Sequence, residues 1–163
     1  MLLKETALVR LISLRIPSLL FLGPRVQHVD DEVCEITIPL GWRTRNHVGV
    51  MYVGVLCAGA DLASGLQAAK LIYGRYKDVV LLFADLKAEF LKRADGDVLF
   101  RSRQGRQIAE AVRQAHETGE RVTIPIEVVA TVPKKYGDEP VARFTLGLTL
   151  KRRGEARPQP AAA

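Results

Sequence analysis

Residues 46 to 69 read NHVGVMYVGVLCAGADLASGLQAA, apolar or small at nearly every position. That is enough chain for about six helical turns. A helix that is hydrophobic nearly all the way round must be covered on most sides, so this stretch obliges the rest of the chain to wrap it. The pattern predicts a long helix over roughly Gly49–Tyr73, ended by Gly74. One carboxylate, Asp61, lies near its middle. An ionised acid in apolar surroundings is costly, and it usually has either a partner or a chemical task.

The segments around the helix read mostly as strands. Gln27–Pro39 alternates, with Cys34, Ile36 and Ile38 on one face, and GWRTRN follows as a loop. Val79–Lys92 alternates with Ala84, Leu86, Ala88 and Phe90 opposing Asp85, Lys87 and Glu89. After the ADGD turn, Val98–Arg101 reads as a short strand. Gln104–Thr118 has helical spacing, with Ile108, Ala111, Val112 and Ala115 inward and Gly119 as its stop. Two strands then keep period two, one through Val122, Ile124, Ile126, Val128, Ala130 and Val132, the other through Phe144, Leu146, Leu148 and Leu150, with YGDEP turning between them.

Thr6–Leu14 reads as a helix that stops before Ile16-Pro17. The apolar N-terminal segment to about residue 22 is broken by Arg10, Arg15 and Pro17, which argues against a signal peptide or a membrane span. The expected organisation is one domain over 1–153, with an N-terminal helix in about 6–22, and a disordered Pro/Ala-rich tail over 154–163. The layout is α+β: an antiparallel sheet wrapped around one helix.

Net charge of +6 is compatible with phosphate-bearing ligands, but aromatics are only 6% and no basic run is interleaved with stacking residues. A single-strand nucleic-acid platform is therefore not expected. Cys34 and Cys57 sit among apolar neighbours without CxxC spacing and read as buried, inert thiols of a cytoplasmic protein. Three scattered histidines and no clustered acids give no metal site, and phosphate-binding glycine loops are absent.

Asn46-x-x-Gly49-x-x-Tyr52-x-Gly54, then six residues and Asp61, carries a resemblance. It resembles the signature of the phenylacetate-pathway type of hotdog acyl-CoA thioesterase, N-x-x-G-x-x-H-G-G followed by six residues and Asp. Asn46, Gly49, Gly54 and Asp61 fall in register, whereas Tyr52-Val53 replaces the family's His-Gly pair. The likeness covers roughly Val26–Lys151 and looks closest to a less characterised thioesterase-like branch. It implies a hotdog fold, a curved antiparallel sheet around a central helix, here with an extra helix at 104–118.

The resemblance also implies a chemistry. A thioester carbonyl would sit at the start of the central helix, its oxyanion held by the N–H of Val53 or Gly54. Asp61 would act as nucleophile or general base, and Asn46 would orient the water or the loop. Gly49, Tyr52 and Ser64 complete the expected substrate-binding surface, and no cofactor or metal is required. Asp61 lies eight residues past Val53, about 12 Å along a helix axis. One carbonyl cannot touch both groups of a single helix, so a catalytic Asp61 requires a homodimer with composite sites, or a tetramer built from two such dimers.

Each of these residues also has a plainer explanation. Asp61 would be a structural acid paired with Arg43 or Arg45, and Asn46 a cap or turn residue. Gly59, Ala60, Ala63, Ser64 and Gly65 form a small-residue surface suited to tight packing. His47 is a loop histidine, and Cys57 lacks a histidine partner at helical spacing. The functional expectation is hydrolysis of an acyl-CoA or acyl-carrier thioester, with no nucleic acid or membrane partner. The rivals are a hotdog protein that binds acyl thioesters or lipids without turnover, a hydratase or dehydratase, and a small basic nucleic-acid binder.

Overall fold

In the computed structural model, residue 6 and residues 16–154 are described. The helix expected over Thr6–Leu14 lies outside them except for Thr6, which is buried and accepts the Val26 N–H through Oγ1 at 3.0 Å. Of the expected tail, only Gly154 is described. The first described helix, α1, is Pro17–Phe21, with proline at its start, where a missing N–H costs nothing.

Six strands form one antiparallel sheet: β1 (Arg25–Val29), β2 (Cys34–Ile38), β3 (Val79–Phe90), β4 (Val98–Ser102), β5 (Val122–Thr131) and β6 (Pro140–Arg152). Their order across the sheet is β1-β2-β4-β5-β6-β3, so β3 is an edge. The long helix α2 (Val53–Gly74) packs against β2, β3, β4, β5 and β6. This is the α+β hotdog arrangement that the resemblance implied. By length and composition α2 would suffice to cross a bilayer, but here the sheet covers one side of it. Three small residues permit the close approach: Ala60 and Ala63 are fully buried, and a β-carbon on Gly59 would collide with the ring of Phe100, itself fully buried.

The inserted helix α3 (Gly105–Thr118) packs on α2, β5 and β6 through Ile108, Ala111, Val112 and Ala115, as its spacing predicts. It stops at Gly119, whose φ of +73 is a left-handed cap conformation. On β6, Phe144, Leu146, Leu148 and Leu150 all face the core. A one-turn helix, α4 (Pro133–Tyr136), and Gly137 at φ +60 make the turn read from YGDEP.

Four expectations need correction. The alternation over Gln27–Pro39 is two strands, not one. Asp30 breaks it by accepting the N–H groups of Glu32 and Val33 at 2.8 and 2.7 Å, a side-chain-built turn that closes a hairpin. The long helix begins at Val53 rather than Gly49, because Gly49 has a φ of +81 that no helix accommodates. Nor does Gly74 stop it, being its last helical residue, with Arg75 as the cap. Finally, β3 carries an irregularity between Phe83 and Leu86, where Asp85 accepts the Gly147 N–H at 3.1 Å. The inward parity of Val79, Leu81 and Phe83 therefore shifts to Ala88 beyond it.

Candidate active site

The loop entering α2 is held by its own side chains. Thr44 is buried, donating to the Pro39 carbonyl at 2.7 Å and accepting the Gly41 N–H at 2.9 Å. Asn46 Oδ1 accepts the N–H groups of Val48 and Val50 at 3.0 and 3.3 Å, which makes Asn46 the turn residue of the loop. Its side-chain NH2 has no acceptor among the described residues. Exposed Gly49 supplies the left-handed backbone that the turn needs.

Tyr52 caps α2 with its backbone alone, its carbonyl receiving Val55 and Leu56 at 2.9 and 3.1 Å. The N–H groups of Val53 and Gly54 have no acceptor among the described residues, and both residues are exposed. They are orphan donors at the positive end of a 22-residue helix, an arrangement suited to a developing negative charge. The Tyr52 ring lies over Gly54, where a β-carbon would have to push the ring aside.

Asp61 sits about 12 Å further along the axis, so within one protomer the amides and the acid do not meet. Partly buried, its carboxylate makes no hydrogen bond or ion pair with any described residue. The pairing with Arg43 is not formed: that guanidinium lies 5.4 Å from the Phe21 ring centre and 5.9 Å from that of Trp42. Arg45 has no acidic partner among the described residues either. Burial pushes the Asp61 carboxyl up to about 6. An acid tuned this way is ionised at neutral pH yet basic enough to take a proton. Ser64, one turn on, is fully buried and donates to the Asp61 backbone carbonyl at 3.0 Å, so it braces the helix there and does not line the adjoining groove.

That groove, about 530 Å³, opens beside Asp61 between α1, α2 and the start of β3. Leu62, Leu66, Ile72, Leu81 and Phe83 form apolar walls, and Lys77 and Arg153 stand where α2 gives way to β3. Sequence reading singled out neither the groove nor its walls. The signal was there in the four-residue recurrence of Asp61, Gly65, Ala69 and Tyr73, one stripe on a helix.

The other nucleophile and base candidates are occupied or poorly placed. Burial raises both thiols, Cys34 to about 12. His28 pairs with Asp30 at 2.7 Å and His116 with Asp78 at 2.9 Å, while His47 is exposed on its loop. Among the described residues, no group of three or more His, Cys, Asp and Glu side chains is placed to hold a metal ion.

A family model described as a domain of unknown function, DUF4442, matches residues 4–148. No curated protein matches the sequence significantly. Several solved structures share the fold. A Pseudomonas aeruginosa protein, PA5026, described as a probable thioesterase, superposes with a TM-score of 0.73 at 22% identity, over 93% of this chain and 97% of its own. Thioesterase HI1161 from Haemophilus influenzae gives 0.64 at 17% identity, over 89% and 88%. A variant of thioesterase PA1618 from Pseudomonas aeruginosa gives 0.65 at 16% identity, over 94% and 96%.

Proposed function

The chain belongs to the DUF4442 family, and within that family we propose that it is a thioester hydrolase acting on acyl-CoA or a related acyl thioester. The observation that carries this reading is the Asp61 carboxylate, partly buried, without a partner among the described residues and raised to about 6, lining an apolar groove. Support comes from the shared fold, since similarly built proteins bear the thioesterase name, and from the register of Asn46, Gly49, Gly54 and Asp61 with the phenylacetate-pathway signature.

In this mechanism the thioester carbonyl oxygen accepts the free N–H of Val53, with Gly54 beside it. Asp61 removes a proton from water as the water oxygen bonds to the carbonyl carbon, or attacks that carbon itself to form an anhydride that water hydrolyses once the thiol has left. The carbon–sulfur bond then breaks, and the leaving sulfur takes a proton to become a thiol. The NH2 of Asn46 orients the water or the entry loop. No metal or redox step is needed for this hydrolysis.

The 12 Å gap between acid and amides calls for a second copy, in which each Asp61 faces the partner's helix start. Exposed apolar side chains support the pairing: Leu82, Leu86 and Phe90 on edge strand β3, and Val48, Tyr52 and Val53 around the start of α2. An unpaired apolar edge invites another strand. We assign a homodimer, which two-fold pairing could extend to a tetramer. Two free thiols suit a reducing compartment, and we place the protein in the cytoplasm.

The test is hydrolysis of a panel of acyl-CoAs by wild type and Asp61→Asn. Loss of about 10²–10⁴ in kcat with folding intact is expected; equal rates would remove the claim. A second reading, a hotdog protein that binds acyl thioesters without turnover, is favoured by Asn46, whose acceptor oxygen is committed to its own loop. Saturable binding without hydrolysis selects it.

A further inference from the structure

Resting on the thioesterase reading above, we propose that the groove along α2 seats the carrier arm of acyl-CoA and that Lys77 and Arg153 bind its pyrophosphate. The two ends of the groove differ in charge. Asp61, Gly65, Ala69 and Tyr73 run down one stripe of α2, about 18 Å from first to last at 1.5 Å per residue. The carboxylate stands at the first end; Lys77 and Arg153 stand at the other.

Those cations are uncommitted. The side chains of Lys77 and Arg153 make no ion pair or hydrogen bond with any described residue, and the Arg153 backbone N–H donates to Asp78 at 2.6 Å. Asp78, the acid between the helix and β3, is held instead by His116 Nδ1 at 2.9 Å. Arg75 adds positive charge nearby, stacked 5.3 Å from the Tyr76 ring centre. Among the described residues the far end is thus positive, and Asp78 is already paired.

An acyl chain in this groove gives no reason for cations at its end, whereas a phosphorylated arm does. From sulfur to the first phosphorus, a pantetheine arm has about 13 backbone bonds and spans about 16 Å extended, at bond lengths near 1.5 Å. That length covers most of the stripe from a thioester held at Asp61, and the long side chains of Lys77 and Arg153 reach back to meet the phosphates. The methylene and gem-dimethyl groups of the arm meet Leu66, Ile72, Leu81 and Phe83 on the way. Arg in particular suits a pyrophosphate, through its forked donors. The acyl group then leaves Asp61 in the opposite direction, toward the second copy.

Three substrates carrying one acyl group test the proposal: acyl-CoA, the acyl N-acetylcysteamine thioester, which lacks phosphates, and an acyl-carrier-protein thioester. The expected result for Lys77→Ala/Arg153→Ala is an approximately tenfold fall in the ratio of kcat/KM for acyl-CoA to that for the truncated thioester. The fall should come through KM, shrink at high salt, and be largely restored by Lys77→Arg with Arg153 intact. An unchanged ratio overturns the proposal. So does a wild type that hydrolyses only the carrier-protein thioester. If no thioester is turned over, the hydrolase reading fails, and calorimetry with desulfo-CoA decides the site: about tenfold weaker binding to the double variant supports it, and equal or no binding overturns it.

Discussion

The ring of Tyr52 lies over Gly54, so close that a β-carbon there would meet Tyr52 Cε1 at 2.7 Å. An aromatic lid therefore stands at the start of α2, beside two backbone donors with no acceptor among the described residues. The lid is exposed and hinged at its own side chain, so a ligand can displace it without disturbing the helix.

Val53 is the first helical residue, and its N–H donates to no described residue, so Val53→Pro removes a donor without removing a bond seen to hold the fold. Tyr52 already has the extended backbone, φ −66 and ψ 140, that a following proline requires. The variant should fold normally by circular dichroism and thermal melting. Its kcat should fall about 10²–10³-fold, the usual cost of losing one oxyanion donor. Undiminished turnover would move the role to Gly54.

Mixing supplies a sharper check on the two-copy site. Asp61→Asn and Val53→Pro should each be inactive alone. Combined in equal amounts and allowed to exchange, half the dimers are hybrids, each with one intact site, giving about one quarter of the wild-type rate. A mixture as inactive as its components would show that acid and donor belong to the same chain.

Activity should follow the ionisation of Asp61. With its carboxyl raised to about 6, kcat/KM should climb through about pH 6 and fall about tenfold per unit below it. The rise should disappear in any residual activity of Asp61→Asn.

The same residue should cost stability. Because the folded pKa of about 6 exceeds the ordinary value of 3.8, the native state binds the proton more tightly than the unfolded chain. Stability contributed by this group is therefore full below about pH 4 and is lost as pH rises through 6. Asp61→Asn should be about 2 kcal/mol more stable than wild type at pH 8, after allowance for partial exposure, and equal to it near pH 4. Urea denaturation at both pH values reads the difference, and parallel curves would refute it.

Two helix glycines should respond oppositely to alanine. At Gly59 the new methyl collides with Phe100, which is fully buried, and overpacking of this kind costs about 2 kcal/mol. At Gly65 the nearest atom is Phe83 Cζ at 3.5 Å, an ordinary contact, so helix propensity dominates and the change gains about 0.5–1 kcal/mol. Denaturant titrations of both variants measure the contrast.

Regular periods made most of the fold legible. Ile108, Ala111, Val112 and Ala115 on α3, and Phe144 to Leu150 on β6, lie where spacing alone places them, because each element has one wet face and one dry one. What the sequence hid depended on single side chains bonding to backbone. Asp30 folds a hairpin inside one apparent strand, and Asp85 shifts the parity of β3. Asn46 and Gly49 keep the loop out of the helix. Of the candidate site, Asp61 and the helix start could be named from the motif. The groove could not, because Arg153 reaches it only through the pairing of β6 with β3, where Val79 lies opposite Arg152.

That pairing also sets an order of events for the growing chain. The most water-averse segment, α2, is made before β4, β5 and β6, which complete the wall it rests on. Its last neighbour in the sheet, β3, finds a partner only when the final strand arrives. Until then a 22-residue oily rod is only partly sheltered, so the folding of this protein is governed by long-range closure and is vulnerable to clumping or to chaperone capture up to that moment.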